Sequence, residues 1–363
     1  EEQFEMVQYV EKGRKPRWGY FPKEGHPQVV TRFDGTRITP GFLQAIAYEV
    51  YVKNVTFGLL HQWLGGMGMT VSENTLRNWL KKGRKYLDRM VVELKRIALE
   101  KDAVVNCDET WCKVRKYDRY KKCYMWVLVN KAERVVIFFY EDGSRGRDVL
   151  TNFLGDAELK ALMSDGYNAY VFIGDGLKTH RYKDTDHQVC LAHVRAKFVK
   201  ARMEGGDKRA DVFLDNINRL FRFEREYDRE MITDGERTRR RQGLPTMEAM
   251  INLRANLLQE LKSEEEQKSC YMREALNYLH KFWNEAFTYI KDGRYPISNN
   301  LAERAVRPFT TKRKNSLHFG SDEGAEIAAV YHSIISTVKL QGRSAWDFLV
   351  NFLPEFLTVA EIF

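Results

Sequence analysis

Ala103-Val104-Val105-Asn106-Cys107-Asp108-Glu109 is an apolar run closed by two acids. Its lack of helical spacing predicts a buried strand that ends in carboxylates. From 41 to 101 the spacing is helical, so residue 102 marks a change from helix to sheet. Residues 122–130 and 134–140 predict two more strands, and their short connection predicts an antiparallel hairpin. A short helix over 147–154, a strand over 159–164 ending at Asp165, a last strand at His187-Gln188-Val189-Cys190 and a helix over 191–203 follow. Strands interleaved with helices make residues 102–203 an α/β sheet region.

Upstream, residues 1–40 hold one alternating stretch, Phe4-Glu5-Met6-Val7-Gln8-Tyr9-Val10. A polar tract with Pro and Gly follows, so we expect a strand-bearing arm or linker. Residues 41–101 read as a helical domain. Phe42, Ala45, Ile46 and Val50 form one stripe, a second helix runs near 56–64, and Gly65-Gly66-Met67-Gly68 breaks it. Ser72 then caps a short basic helix holding Arg77 and Lys81, and a longer helix covers 86–100. This layout is that of a helix-turn-helix with a long turn, and equally that of an ordinary helical hairpin.

Residues 204–292 have no strand character and read as a charged helical block, its cluster Arg237, Arg239, Arg240 and Arg241 a solvated face. Residues 293–342 bring a helix from near Ser298, a basic segment over 310–314 and a helix over 324–340. Residues 343–363 read as short helices about Pro354.

A chain of 363 residues has room for two or three domains, and a net charge of +9 favours a polyanionic partner, nucleic acid before membrane. No run approaches the roughly 18 apolar residues of a membrane span. Five cysteines without framework spacing fit a reduced, cytoplasmic setting. The chain starts at Glu1 rather than Met and carries no secretory signal, so residues upstream are expected.

Two strand-end aspartates, Asp108 and Asp165, fall where α/β sheets bind ligands. Such carboxylates repel each other unless a cation joins them. A third acid on a packed helix completes an oxygen-rich site for Mg²⁺ or Mn²⁺. Two ions about 4 Å apart clamp the attacking and leaving oxygens of a phosphodiester displacement. Glu303 is the best third acid. It lies in Ser298-Asn299-Asn300-Leu301-Ala302-Glu303, where Asn299 and Asn300 are candidate caps and Asn300 to Glu303 has the capping-box spacing. Locally, an acid there ordinarily serves only the helix dipole, and either aspartate alone is an ordinary turn residue. Glu109 points to the opposite sheet face and is expected to be structural.

Cys190 and His193 form half of a zinc site, with His180 and His187 nearby but no second pair at zinc spacing. We expect no zinc there; both read as positioning residues at a strand end and a first helical turn. Arg77, Lys81, Arg195, Lys197, Arg304, Arg307, Lys312, Arg313 and Lys314 are candidate DNA contacts, the last five interleaved with Phe309, His318 and Phe319. A solvated face gives the same pattern.

Cys107-Asp108-Glu109-Thr110, Ser164-Asp165-Gly166-Tyr167, Cys190-Leu191-Ala192-His193 and Asn299-Asn300-Leu301-Ala302-Glu303-Arg304 with Arg307-Pro308 resemble, in that order, the insertion-sequence-66 family of DDE transposases. Gly320-Ser321-Asp322-Glu323-Gly324-Ala325 and Val338-Lys339-Leu340-Gln341-Gly342 resemble it too. The resemblance implies a ribonuclease-H-like core, 102–203 with 293–342, interrupted by the helical insertion 204–292. It implies a catalytic and metal-binding triad of Asp108, Asp165 and Glu303, separated by 165 − 108 = 57 and 303 − 165 = 138 residues. It implies two Mg²⁺ or Mn²⁺ ions, double-stranded DNA (terminal repeats and target) as partner, and a homo-oligomer on the DNA ends. Trp111 is larger than the family pattern at its position and is placed on the rim of the site. No cysteine precedes Cys107, so these residues hold no N-terminal zinc ribbon. Two other readings stay open: a DNA-binding protein with a decayed core, and a ribonuclease-H-like nuclease on another nucleic acid.

Overall fold

The computed structural model describes residues 4–9, 17–22, 38–174, 181–263 and 268–352, and the chain forms two units, Glu1–Asp88 with Gly342–Phe363, and Arg89–Gln341. In the first, β1 (Phe4–Tyr9) pairs antiparallel with β2 (Arg17–Pro22). Helix α1 (Pro40–Tyr51) starts with Thr39 Oγ1 accepting from Phe42 N and with Pro40 in its first turn. Its buried face is Leu43, Ile46, Ala47 and Val50. Ile46 and Val50 of the expected stripe are buried, but Leu43 and Ala47 replace Phe42 and Ala45, which are half-buried, and Phe42 meets Trp79 edge-on.

Helix α2 (Phe57–Gly66) is capped by Thr56, and Ser72 Oγ accepts from Thr75 N at 3.1 Å where α3 (Glu73–Ala98) begins. The short basic helix expected here does not stop before 86; α3 is one helix of 26 residues. Leu76, Leu80, Gly83 and Leu87 form one buried stripe through it. Burial of that stripe outweighs the roughly 1 kcal/mol that a mid-helix glycine costs. Helix α1 also packs against a helical turn at Asp347–Phe352, with Tyr48 edge-on to Trp346. The residues about Pro354 lie outside the described ones.

The second unit carries a five-stranded sheet of β3 (Val104–Arg115), β4 (Tyr120–Asn130), β5 (Val135–Glu141), β6 (Ala161–Ser164) and β7 (Asp186–Val189). The order is β5-β4-β3-β6-β7, antiparallel through β5, β4 and β3 and parallel through β3, β6 and β7. This mixed sheet with its helices is the ribonuclease-H-like α/β arrangement. Side chains alternate between its faces. Val105, Cys107, Trp126, Leu128 and Ile137 pack with Leu150 and Leu154 of α4 (Arg147–Leu154). Cys112, Val114, Met125, Val127 and Val129 pack with α11 (Asn300–Ser316) and α12 (Asp322–Leu340), through Ala302, Val306, Phe309, Ala325 and Ala329.

Strand β3 differs from expectation in one decisive respect. It does not end at the acids but pairs with β4 as far as Arg115, whereas β6 pairs with it only at Val104, Val105 and Asn106. Asp108 thus lies mid-strand, where the neighbour has stopped.

Between β7 and α11 run α5 (Leu191–Met203), α6 (Ala210–Glu230), α7 (Asp234–Arg241), α8 (Leu244–Lys262), α9 (Cys270–Lys281) and α10 (Trp283–Phe287). Val194, Phe198, Phe213, Ile217, Leu253, Met272 and Leu276 form their core. The arginine cluster is not a uniformly solvated face. Arg239 is exposed beside Glu236, but Arg241 is fully buried. Arg241 grips Glu224 at two points (2.8 and 2.7 Å) and donates to the carbonyls of Tyr289, Asp292 and Tyr295. A buried guanidinium persists because every fork of it meets an acceptor.

Candidate active site

The site forms where β3 loses β6. In the parallel register Asn106 lies opposite Met163, so two further steps set Asp108 beside Asp165. Asp165 directly follows β6 and opens a tight turn: its Oδ1 accepts from Tyr167 N at 2.9 Å, and Gly166 has φ +80°. A Cβ on Gly166 would meet the Tyr278 hydroxyl at 2.8 Å, so only glycine fits. That hydroxyl donates to the Asp165 carbonyl at 2.5 Å, tying the turn to α9.

Asp108 Oδ1 accepts from the adjacent Glu109 N at 2.9 Å. Its carboxyl is nevertheless pushed up to about 8, first by burial, then by the charge of Glu109, with Asp165 and Glu303 adding to the same effect. Those contributions show that the three acids share one electrostatic neighbourhood. They are not a tight cage. Among the described residues, the sets of three donors whose ligand atoms lie within 4.8 Å of one another are Cys190, His193 and Glu303, and Cys123, Asp142 and Asp322. The second set is spent internally: Lys116 bridges Asp142 and Asp322, and Tyr140 donates to Asp322.

Helix α11 reaches the site through Asn299, whose role differs from the expected cap. Its side chain makes no cap hydrogen bond. Instead Oδ1 accepts from Asn106 Nδ2 at 2.9 Å and Nδ2 donates to the Cys107 carbonyl at 2.8 Å, all buried. Its backbone N–H donates to Cys190 Sγ at 3.1 Å, and Leu191 N donates to the Ile297 carbonyl. One residue thus fixes the start of α11 against both β3 and α5. Asn300 is exposed as the first residue of the helix. Burial pushes the Cys190 thiol up to about 11. His193, on the first turn of α5, brings Nδ1 to 3.7 Å from Glu303 Oε1, a juxtaposition the sequence reading missed. The signal for it was Cys190-x-x-His193 itself, read there as two positioning residues rather than as part of a metal site. His187 instead meets Ser164 Oγ at 3.0 Å, and His180 lies outside the described residues.

Glu109 faces the other side of the sheet, held by Arg145 at 2.5 Å and by the Tyr170 hydroxyl. Arg145 in turn stacks on Tyr167 at 3.8 Å, so this pairing braces both acid-bearing segments.

The basic residues separate into groups. Arg304, Arg307 and Lys314 are exposed along the helix that carries Glu303. Arg313 is clamped to β3, donating to Thr110 Oγ1 at 3.0 Å and to the Trp111 carbonyl at 2.7 Å, with its guanidinium 4.0 Å from the Trp111 ring. Lys312 is buried, contrary to its expected place on a DNA-facing surface. It falls on the stripe Ala302, Val306, Phe309, because α11 continues as helix through Pro308 rather than ending in a basic segment. Burial holds its amine down at about 7. Arg195 donates to Asn218, and Lys197 pairs with Glu274. In the first unit Arg77 pairs with Glu73 over the Phe57 ring, and Lys81 is exposed.

Among the described residues no helix is long and apolar enough to cross a membrane. A family model described as "Transposase IS66 family" matches residues 35–327. The chain is similar to three curated proteins of Sinorhizobium fredii. It is 25% identical to uncharacterized protein y4jD over 92% of this chain and 65% of that one. It is 27% identical to uncharacterized protein y4qI over 59% and 39%, and 25% identical to uncharacterized protein y4hP over 64% and 44%. The chain therefore spans between two-fifths and two-thirds of the length of these relatives.

Proposed function

The chain belongs to the IS66 family of transposases, and from that premise we propose that it cuts DNA at the ends of an insertion sequence and joins them to a target. The observation that supports this reading is that Asp165 and Glu303 both bear on Asp108 at the open edge of β3, adding to the burial and the Glu109 charge that chiefly push its carboxyl up to about 8. A carboxyl so disfavoured as an anion calls for positive charge beside it, and the three carboxylates suit Mg²⁺ or Mn²⁺ better than zinc. Asp108, Asp165 and Glu303 would hold two such ions. When bound, they supply an activated water or 3′-hydroxyl and neutralise charge on the leaving oxygen.

The remaining work falls to the protein. Asn299 sets where α11 begins and so where Glu303 can reach. Gly166 and Tyr278 hold the turn that presents Asp165. Arg304, Arg307 and Lys314 line the exposed side of α11, where phosphates on either side of the scissile bond can bind. Hydrolysis at an element end frees a 3′-hydroxyl. That hydroxyl then attacks a target phosphodiester, releasing one target 3′-oxygen, with no covalent link to protein. Double-stranded DNA is the partner, a homo-oligomer brings two ends together, and the setting is cytoplasmic.

The test is end cleavage and joining of labelled duplexes carrying the element's ends, in Mg²⁺ or Mn²⁺. Asp108→Asn, Asp165→Asn and Glu303→Gln should each abolish both steps while keeping a parental circular dichroism spectrum. Joining at the parental rate by any one of the three removes that residue from the triad.

A further inference from the structure

His193 sits beside Glu303 with no hydrogen bond between the two side chains. Its Nδ1 is sealed from solvent and has no hydrogen-bond partner, although the ring as a whole is 40% exposed. The nearest carboxylate oxygen, Glu303 Oε1, is 3.7 Å away. That is too far for a hydrogen bond, which ends near 3.5 Å. It is within the roughly 4.3 Å that two metal–ligand bonds of about 2.1–2.2 Å can span. The two donors are also fixed relative to each other. His193 follows Cys190 by one helical turn, Glu303 follows Asn299 by one turn, and the two starting residues are joined by the Asn299 N–H to Cys190 Sγ bond.

We propose that the ion held by Glu303 is also ligated by His193 through Nδ1, giving this half of the site a mixed nitrogen–oxygen donor pair. The inference rests on the metal-dependent reading above. Its chemical consequence is selectivity. Imidazole binds the first-row transition ions, Mn²⁺ the most weakly of them, and is a poor ligand for Mg²⁺, which prefers carboxylate and water. The site should therefore take Mn²⁺ ahead of Mg²⁺. Cys190 Sγ, the third atom of the cluster, is not counted as a ligand, because it is buried and already accepts the Asn299 N–H.

Pulsed electron paramagnetic resonance on the full chain loaded with Mn²⁺ tests this without using activity. Expected are a ¹⁴N coupling of directly bound imidazole in the parent and its loss in His193→Gln. Mn²⁺ affinity should fall at least as much as on loss of an outer-shell partner, about 10–100-fold, with a smaller change for Mg²⁺. Mn²⁺ that binds, depends on Asp108 and Glu303, and shows no ¹⁴N coupling overturns the His193 assignment alone. A parent that binds no Mn²⁺ overturns the metal-dependent reading with it. A thiolate-to-metal charge-transfer band with Co²⁺ overturns the nitrogen–oxygen pair in favour of a Cys190-bound ion.

Discussion

Asn299→Ala removes a side chain that joins two elements of the site. In the parent it accepts from Asn106 Nδ2 at 2.9 Å and donates to the Cys107 carbonyl at 2.8 Å. All three residues are buried, so truncation strands one amide and one carbonyl away from water. Asn106 keeps only a long contact with the Ser298 carbonyl, 3.5 Å. Each stranded group costs about 1–3 kcal/mol, giving a loss on the order of 4 kcal/mol for the pair. The unit Arg89–Gln341 has 341 − 89 + 1 = 253 residues. At that size each kcal/mol moves Tm by about 2–4 °C, so a fall of roughly 8–16 °C is expected by calorimetry. Asn299→Asp should be worse at neutral pH. It turns an oxygen toward the Cys107 carbonyl and adds a buried negative charge next to Asp108. An Asn299→Ala melt within 2 °C of the parent, or an aspartate variant more stable than the alanine one, refutes the claim that this side chain fixes α11.

Lys312→Met should stabilise the protein at pH 7. The unfolded lysine keeps its proton to about 10.5, whereas the folded one releases it near 7. Unfolding therefore takes up a proton between those values, and parental stability rises with pH across that window. The methionine variant should flatten the urea midpoint between pH 7 and 10; a slope unchanged by the substitution disproves the burial argument. For DNA binding, Arg307→Ala or Lys314→Ala should each reduce the slope of log affinity against log salt by about 1, whereas Lys312→Met leaves it unaltered. Arg241→Met should cost about 3–5 kcal/mol by leaving Glu224 buried without its main partner. Adding Glu224→Leu should recover part of this in denaturation curves, and a double variant no better than the single one contradicts the pairing.

Much of this fold is written locally. The β4–β5 hairpin, the strand before Asp165 and helices α4 and α5 follow from periodicity and turn residues alone. What misled was long-range. Two helices run through residues that normally interrupt them, Gly83 and Pro308, because a buried stripe continues on either side. That same continuation buries Lys312, which reads as a surface charge in any short window. Arg241 is hidden in the same way: its acceptors are Glu224 and carbonyls about 50 residues downstream. The acids Asp108 and Asp165 were legible as a pair only because each follows an apolar run, yet the reason for the gap between them, the early end of β6, is a property of pairing. Asn299 reads as a helix cap and acts as a cross-link, a distinction that depends on β3 being within reach.

The open edge of β3 has a consequence for the chain's behaviour at high concentration. A strand that loses its neighbour offers free backbone groups to any passing strand, the usual route to aggregation. Here that edge is filled from within. Asn299 takes the Cys107 carbonyl, Arg313 the Trp111 carbonyl, and Phe319 the Lys113 carbonyl and the Arg115 N–H. All three guards belong to α11 or to the residues that flank it directly. The helix that brings Glu303 to the site is therefore also what keeps the sheet from recruiting a second molecule. Variants that loosen α11 should lose solubility along with activity.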